Sequence, residues 1–145
     1  MRHCAALLVL LALLTSGGAA AQVPTLSAQD AWIRATPGVD VAAAYLTLLN
    51  GSTHPLTIVG VSSPAAGQAM IHETKLTKGT SSMRPHERLT VAPGATVHLE
   101  PDGLHIMLMM LTRTLAPDDE VPLLFKLEDG STLTVWARVR PLSQE

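Results

Sequence analysis

Val121–Leu127 (VPLLFKL) and Ser131–Val139 (STLTVWARV) flank the tripeptide Glu128-Asp129-Gly130. Two short apolar runs joined by an acidic, glycine-containing break read as a β-hairpin, because glycine supplies the backbone freedom that a tight return needs. The same grammar extends towards the N-terminus. Leu104–Leu111 (LHIMLMML) is the most apolar segment after the leader, and Ala95–Leu99 alternates towards Pro101-Asp102-Gly103. Arg88–Val91 is bounded by Pro93-Gly94. Ala42–Leu49 (AAAYLTLL) ends at Asn50-Gly51, which predicts a tight turn into a returning strand over Pro55–Val61 (PLTIVGV). Short runs punctuated by Gly, Pro, Asn and Asp predict an all-β sandwich or barrel of mostly antiparallel strands. Helix is left open at Ser27–Trp32 and between Ser63 and Met70.

The first residues do not read as part of that fold. Arg2 and His3 precede an unbroken apolar run, Ala5–Leu14, which is followed by Thr15-Ser16-Gly17-Gly18 and Ala19-Ala20-Ala21. A basic start, a short apolar core and a small-residue exit are the parts of a cleaved secretory signal, here residues 1–21. Ten apolar residues fall short of the roughly 20 that a membrane span requires. Residues 22–145 then form a single domain, with no further segment apolar enough to cross a bilayer. Cys4 lies ahead of the apolar run, which argues against a lipid-carrying cysteine, and the processed chain has none for a disulfide. Without Arg2, nine basic residues face twelve acidic ones, so nothing favours nucleic acid or anionic lipid. Methionine is the compositional oddity: five remain after cleavage, against one phenylalanine and one tyrosine.

The chemistry concentrates between residues 70 and 110. His105-Ile106-Met107 places an imidazole and a thioether on one face of a strand, about 6–7 Å apart along the backbone. His72 and Met83 stand upstream, with ten residues between them and twenty-one between Met83 and His105. Turn signals at Lys78-Gly79, Arg84-Pro85, Pro93-Gly94 and Asp102-Gly103 allow the chain to fold back and bring all four to one end of a barrel. Thioethers are soft, neutral donors that suit Cu(I) and offer little to Mg²⁺ or Ca²⁺. Zinc recruits His, Cys and carboxylates, and blue-copper sites need a thiolate. Two imidazoles with two thioethers therefore predict a monovalent copper site. The competing reading makes these methionines core filler and His72 an exposed strand residue. His105, inside a very apolar run, is hardest to dismiss, because a buried imidazole needs polar partners. Met109, on the same strand face as His105 and Met107, is read as core with ligation as the alternative, and Met70 and Met110 are read as packing. His54, His86 and His98 are read as surface residues, although His86, three positions after Met83, can approach the metal. No nucleophile–base pair or open metal-bound water position points to an enzyme.

The full pattern, His72, Met83 and His105-x-Met107 at those spacings, resembles the motif of the periplasmic copper chaperones of the PCu(A)C type. IHET at 71–74, MRP at 83–85, VAPGATVHLEPDGLHIMLM at 91–109 and LLFKLEDG at 123–130 carry the resemblance, which runs over roughly Ser27 to Val139. It implies a cupredoxin-like β-barrel and a periplasmic Cu(I) metallochaperone with His72, Met83, His105 and Met107 as ligands. It also implies a recipient, the CuA-bearing subunit of cytochrome c oxidase or another copper chaperone. A protein that sequesters copper without feeding an oxidase would carry the same ligands. Some members add a His- and Met-rich C-terminal extension that binds Cu(II), which Pro141–Glu145 does not resemble, so one copper per chain is expected.

Overall fold

In the computed structural model residues 26–141 are described, and the expected signal segment lies outside them. Among the described residues there is no helix. Ten strands run in chain order: β1 (Leu26–Ala35), β2 (Val41–Asn50), β3 (Leu56–Ser62), β4 (Ala66–Thr77), β5 (Thr80–Pro85), β6 (Leu89–Val91), β7 (Thr96–Leu99), β8 (Leu104–Leu111), β9 (Glu120–Leu127) and β10 (Thr132–Arg140). They form one sheet in the order β5-β4-β8-β2-β1-β10-β9-β3-β6, with β7 paired to β2 off this path. Only the β1–β10 pairing is parallel. The fold is therefore the all-β architecture of mostly antiparallel strands that the punctuated runs predict, in keeping with the cupredoxin-like barrel that the resemblance implies.

Period-2 alternation selects the core. Ile33 on β1, Ala44, Leu46 and Leu48 on β2, Ile106 and Leu108 on β8, Val121, Leu123 and Phe125 on β9, and Ala137 and Val139 on β10 are buried and pack into one cluster. The sheet curls around them until β3 lies against β4, with a groove between the two lined by Val59, Val61, Ala69, Ile71 and His86.

The hairpin around Glu128-Asp129-Gly130 is present, with Val135 opposite Leu123 and Gly130 in the left-handed region (φ 86°). Three expectations need correction. Ser27–Trp32 belongs to strand β1; a register shift between Gln29 and Trp32, with Asp30 at φ 52°, breaks the alternation that would have revealed it. The Ser63–Met70 region leads into strand β4, whose inner face offers little beyond Ala69 and Ile71. The third concerns Asn50-Gly51, which does not turn β2 back onto β3. β2 pairs with β1, β7 and β8, whereas β3 pairs with β6 and β9.

Asn50 instead ties separate elements together. It is fully buried; its Nδ2 donates to the carbonyls of Val91 and His54, each at 2.9 Å. Its Oδ1 accepts from Ser52 N at 2.9 Å and Ser52 Oγ at 2.7 Å. Removing one side of such a network leaves buried polar groups unpaired, at about 1–3 kcal/mol each. Asn50→Ala should lower the unfolding free energy by about 3 kcal/mol in urea denaturation. A loss below about 0.5 kcal/mol, the size of an ordinary surface substitution, would contradict this role.

Candidate metal centre

The four residues singled out by spacing come from three adjacent strands, β5, β4 and β8. β4 and β8 pair antiparallel without a register shift, and this sets His72 directly opposite His105 and Met70 opposite Met107. β4 and β5 also pair without a shift, with Pro85 opposite His72 and Met83 opposite Thr74. Residues opposite one another share a face, and so do residues two apart on a strand. His72, Met83, His105 and Met107 therefore project from one face, the outer one, because Ile71, Ile106 and Leu108 between them are buried inward. Met83 stands on the edge strand β5. It lies on a hairpin strand whose turn, Lys78-Gly79, has both residues at positive φ (51° and 79°), the backbone that a two-residue hairpin turn prefers.

The two imidazoles are close: ring centroids are 6.1 Å apart with planes at 80°. His105 is only 4% exposed despite facing outward, and its Nδ1 lies 3.0 Å from the carbonyl oxygen of Gly103. A carbonyl only accepts, so Nδ1 carries the proton and Nε2 keeps its lone pair for a ligand. On the other strand, His72 Nδ1 is buried and has no hydrogen-bond partner. An orphaned buried nitrogen is costly unless something else satisfies it, and a metal ion is the partner a neutral imidazole can take. Met107 is half-buried, whereas Met83 is 55% exposed at the sheet edge. The donor set carries no charge, which fits a soft monovalent ion. Among the described residues, no three His, Cys, Asp or Glu side chains gather as zinc would require.

The wall that keeps His105 dry was not foreseen from sequence. Tyr45 on β2 is 3% exposed, with its ring 6.5 Å from that of His105. Trp32 on β1 lies 4.5 Å from Tyr45. Arg34 Nη2 donates to Tyr45 Oη at 3.0 Å, and Arg140 sits 4.6 Å over the Trp32 ring. Four rings thus line up across β1, β2, β8 and β4. The only advance signal was Tyr45 standing alone in an alanine- and leucine-rich strand.

His54 and His98 are exposed, as expected. His86, half-buried, lines the groove by β3 along with Val61, Met70 and Ile71. The core reading of Met109 needs correction: none of the methionines in the described residues belongs to the buried core. Met109 pairs with Gln68 and Val41 on the same outer face as Met107, and Met70 faces outward opposite Met107.

Burial first, and the neighbouring His105 second, hold the His72 pKa below the ordinary histidine value of about 6.5. The neutral, ligand-ready imidazole is favoured at neutral pH. Because the folded value lies below the unfolded one, the metal-free fold loses stability as pH falls through about 6.5, until His72 itself is protonated. An NMR titration of the metal-free protein should show the His72 ring protonating below pH 6.5. A midpoint at or above that value would contradict the desolvated environment.

Known proteins resemble this chain over nearly all of the described region. Residues 26–139 match the family described as "Putative lipoprotein LpqE-like". A relative from Leifsonia xyli subsp. xyli, "Putative lipoprotein Lxx21020", is 32% identical over 123 residues, covering 84% of this chain and 74% of that protein. Among solved structures, the "Solution structure of CuI-DR1885" from Deinococcus radiodurans aligns with a TM-score of 0.63 and 35% identity, covering 86% of this chain and 83% of that one. The "Copper-bound PCuAC domain from PmoF2" aligns with a TM-score of 0.68 over 81% of this chain and 94% of that one; at 19% identity it speaks to the fold alone. By the extent of the family match and the identity of the relative, the chain belongs to the LpqE-like family.

Proposed function

We propose that the protein binds one Cu(I) per chain with His72, Met83, His105 and Met107, and passes it to a recipient by ligand exchange. The observation that carries this reading is the cross-strand pair His72/His105. One ring has its lone pair oriented by Gly103 and the other has an orphaned nitrogen, beside thioethers on the same face. The likeness to a Cu(I) form of a protein 35% identical to this chain supports the metal and its oxidation state. Copper here is cargo, and the reading is of a carrier, not an enzyme.

Neutral donors can be replaced one at a time, so the ion need not enter water. Met83, half exposed on edge strand β5, is the donor that an incoming ligand reaches first. His105 and Met107 share the more central strand β8 and hold the ion longest. The leader-like residues 1–21 and the lipoprotein names of the family and its relative support export, and we place the protein in the periplasm. On the resemblance, we propose the CuA-bearing subunit of cytochrome c oxidase as recipient. Loss of CuA assembly on deletion of the gene supports delivery; intact assembly with heightened copper sensitivity favours sequestration.

Anaerobic titration with Cu(I) against a colorimetric chelator tests the site. The parent should hold one equivalent, and the His105→Ala/Met107→Ala double variant should lose it. Single loss of His105 should weaken binding by more than about tenfold, a cost that even outer-shell changes reach. Met83→Ala should weaken binding less and speed release to the chelator. A folded parent that fails to compete would contradict copper binding, and equal effects of all the single substitutions would contradict the order of release.

A further inference from the structure

We infer that the outer face of β4 and β8 holds a second, weaker position for a soft monovalent metal ion, formed by Met70, Met107 and Met109. The inference extends the proposed copper site, because Met107 is common to both positions. Met70 lies directly opposite Met107, and Met109 follows Met107 two residues along β8. Directly opposed side chains start about 4.5–5.5 Å apart at Cβ, and diagonal ones about 7–8 Å. Three rotatable bonds let each thioether close that gap. Gln68, opposite Met109, points its Nε2 to 3.4 Å from Met70 Sδ, which places that sulfur over the outer face and not in the core.

The bland alternative is that these side chains cover apolar surface. It fits poorly with where they are. An antiparallel sheet with one wet face carries polar residues there, and methionine's usual structural use is to fill gaps in a core. In this protein the buried core holds Leu, Ile, Val, Ala and Phe, while the methionines stand outside it, half-buried or exposed. Three thioethers without an imidazole or carboxylate make a set that attracts Cu(I) or Ag(I) and little else. Lacking the two histidines, the set binds more weakly than the primary site. Sharing Met107, it gives the ion a place to step onto as His72 and His105 let go. The outer face then works as a short track along the β4/β8 pair, with the histidines at one end and Met109 at the other.

The test is NMR of protein carrying ¹³C-labelled methionine methyl groups, titrated anaerobically with Cu(I) and, separately, with Ag(I). The first equivalent should shift Met83 and Met107; a second should shift Met70 and Met109 and move Met107 again. A Met70→Leu/Met109→Leu variant keeps size and hydrophobicity but lacks both sulfurs. It should take the first equivalent as the parent does and bind the second at least tenfold more weakly. Methyl signals of Met70 and Met109 that stay fixed in excess metal, or a variant that takes the second equivalent like the parent, would overturn the inference. Shifts at Met70 and Met109 without a first equivalent at the histidines would support this position while contradicting the primary site.

Discussion

The pairing of β4 with β8 is the interaction on which the metal face depends. Over Ala66 to Glu73 the two strands run without a register shift, and this alone sets one imidazole against the other. A slip of β4 by one residue would turn each of its side chains to the opposite face, sending His72 and Met70 into the core and Ile71 into water. The register is held at both ends. Thr74 N donates to the Gly103 carbonyl at 3.0 Å, the same oxygen that orients His105. At the other end Met110, at φ 53°, crosses Gly67 so closely that a Cβ there would lie 3.1 Å from the Met110 Cβ. Glycine is the residue that permits that approach, and the kink at Met110 lets Leu111 return to pack on the core.

The two faces of this strand pair do opposite work. Inward, Ile71, Ile106 and Leu108 anchor β4 and β8 to the common core. Outward, a half-buried environment is built on what would otherwise be a wet surface. Tyr45, braced by Arg34 and Trp32, covers His105 from the neighbouring strands. Desolvation then favours the neutral His72 imidazole and makes its unpartnered nitrogen costly, so the face is primed for a ligand. Towards β5 the cover ends, and Met83 is left to solvent. The proposed holding on β8 and release on β5 rest on this one gradient of burial across three strands.

Much of this was legible in the sequence, and what was not has physical causes. β2, β3, β6, β7, β8, β9 and β10 announce themselves because their apolar runs are compact and bounded by Gly, Pro, Asn and Asp. β1 escaped notice because the register shift at Gln29–Trp32 breaks its period. β4 and β5 escaped because their outer faces carry the site and their inner faces are thin, so His72 and Met83 stand on two strands that do not look like strands. Asn50-Gly51 misled, since a dipeptide suited to a turn here serves as a buried polar tie. The spacing of His72, Met83, His105 and Met107 could be read without those strands because it depends on chain positions, and the strand register brings the four onto one face. Tyr45 could not be read, because its relation to His105 exists only once β2 lies beside β8.

In the proposed site two imidazoles and two thioethers from this face share one copper ion. X-ray absorption at the copper edge, on protein loaded anaerobically with slightly less than one equivalent of Cu(I), decides whether they do. The expected result is a Cu(I) edge with a shell of two nitrogen and two sulfur scatterers, and fewer sulfur scatterers in Met107→Leu. A shell of nitrogen and oxygen alone, unchanged by that substitution, would contradict it.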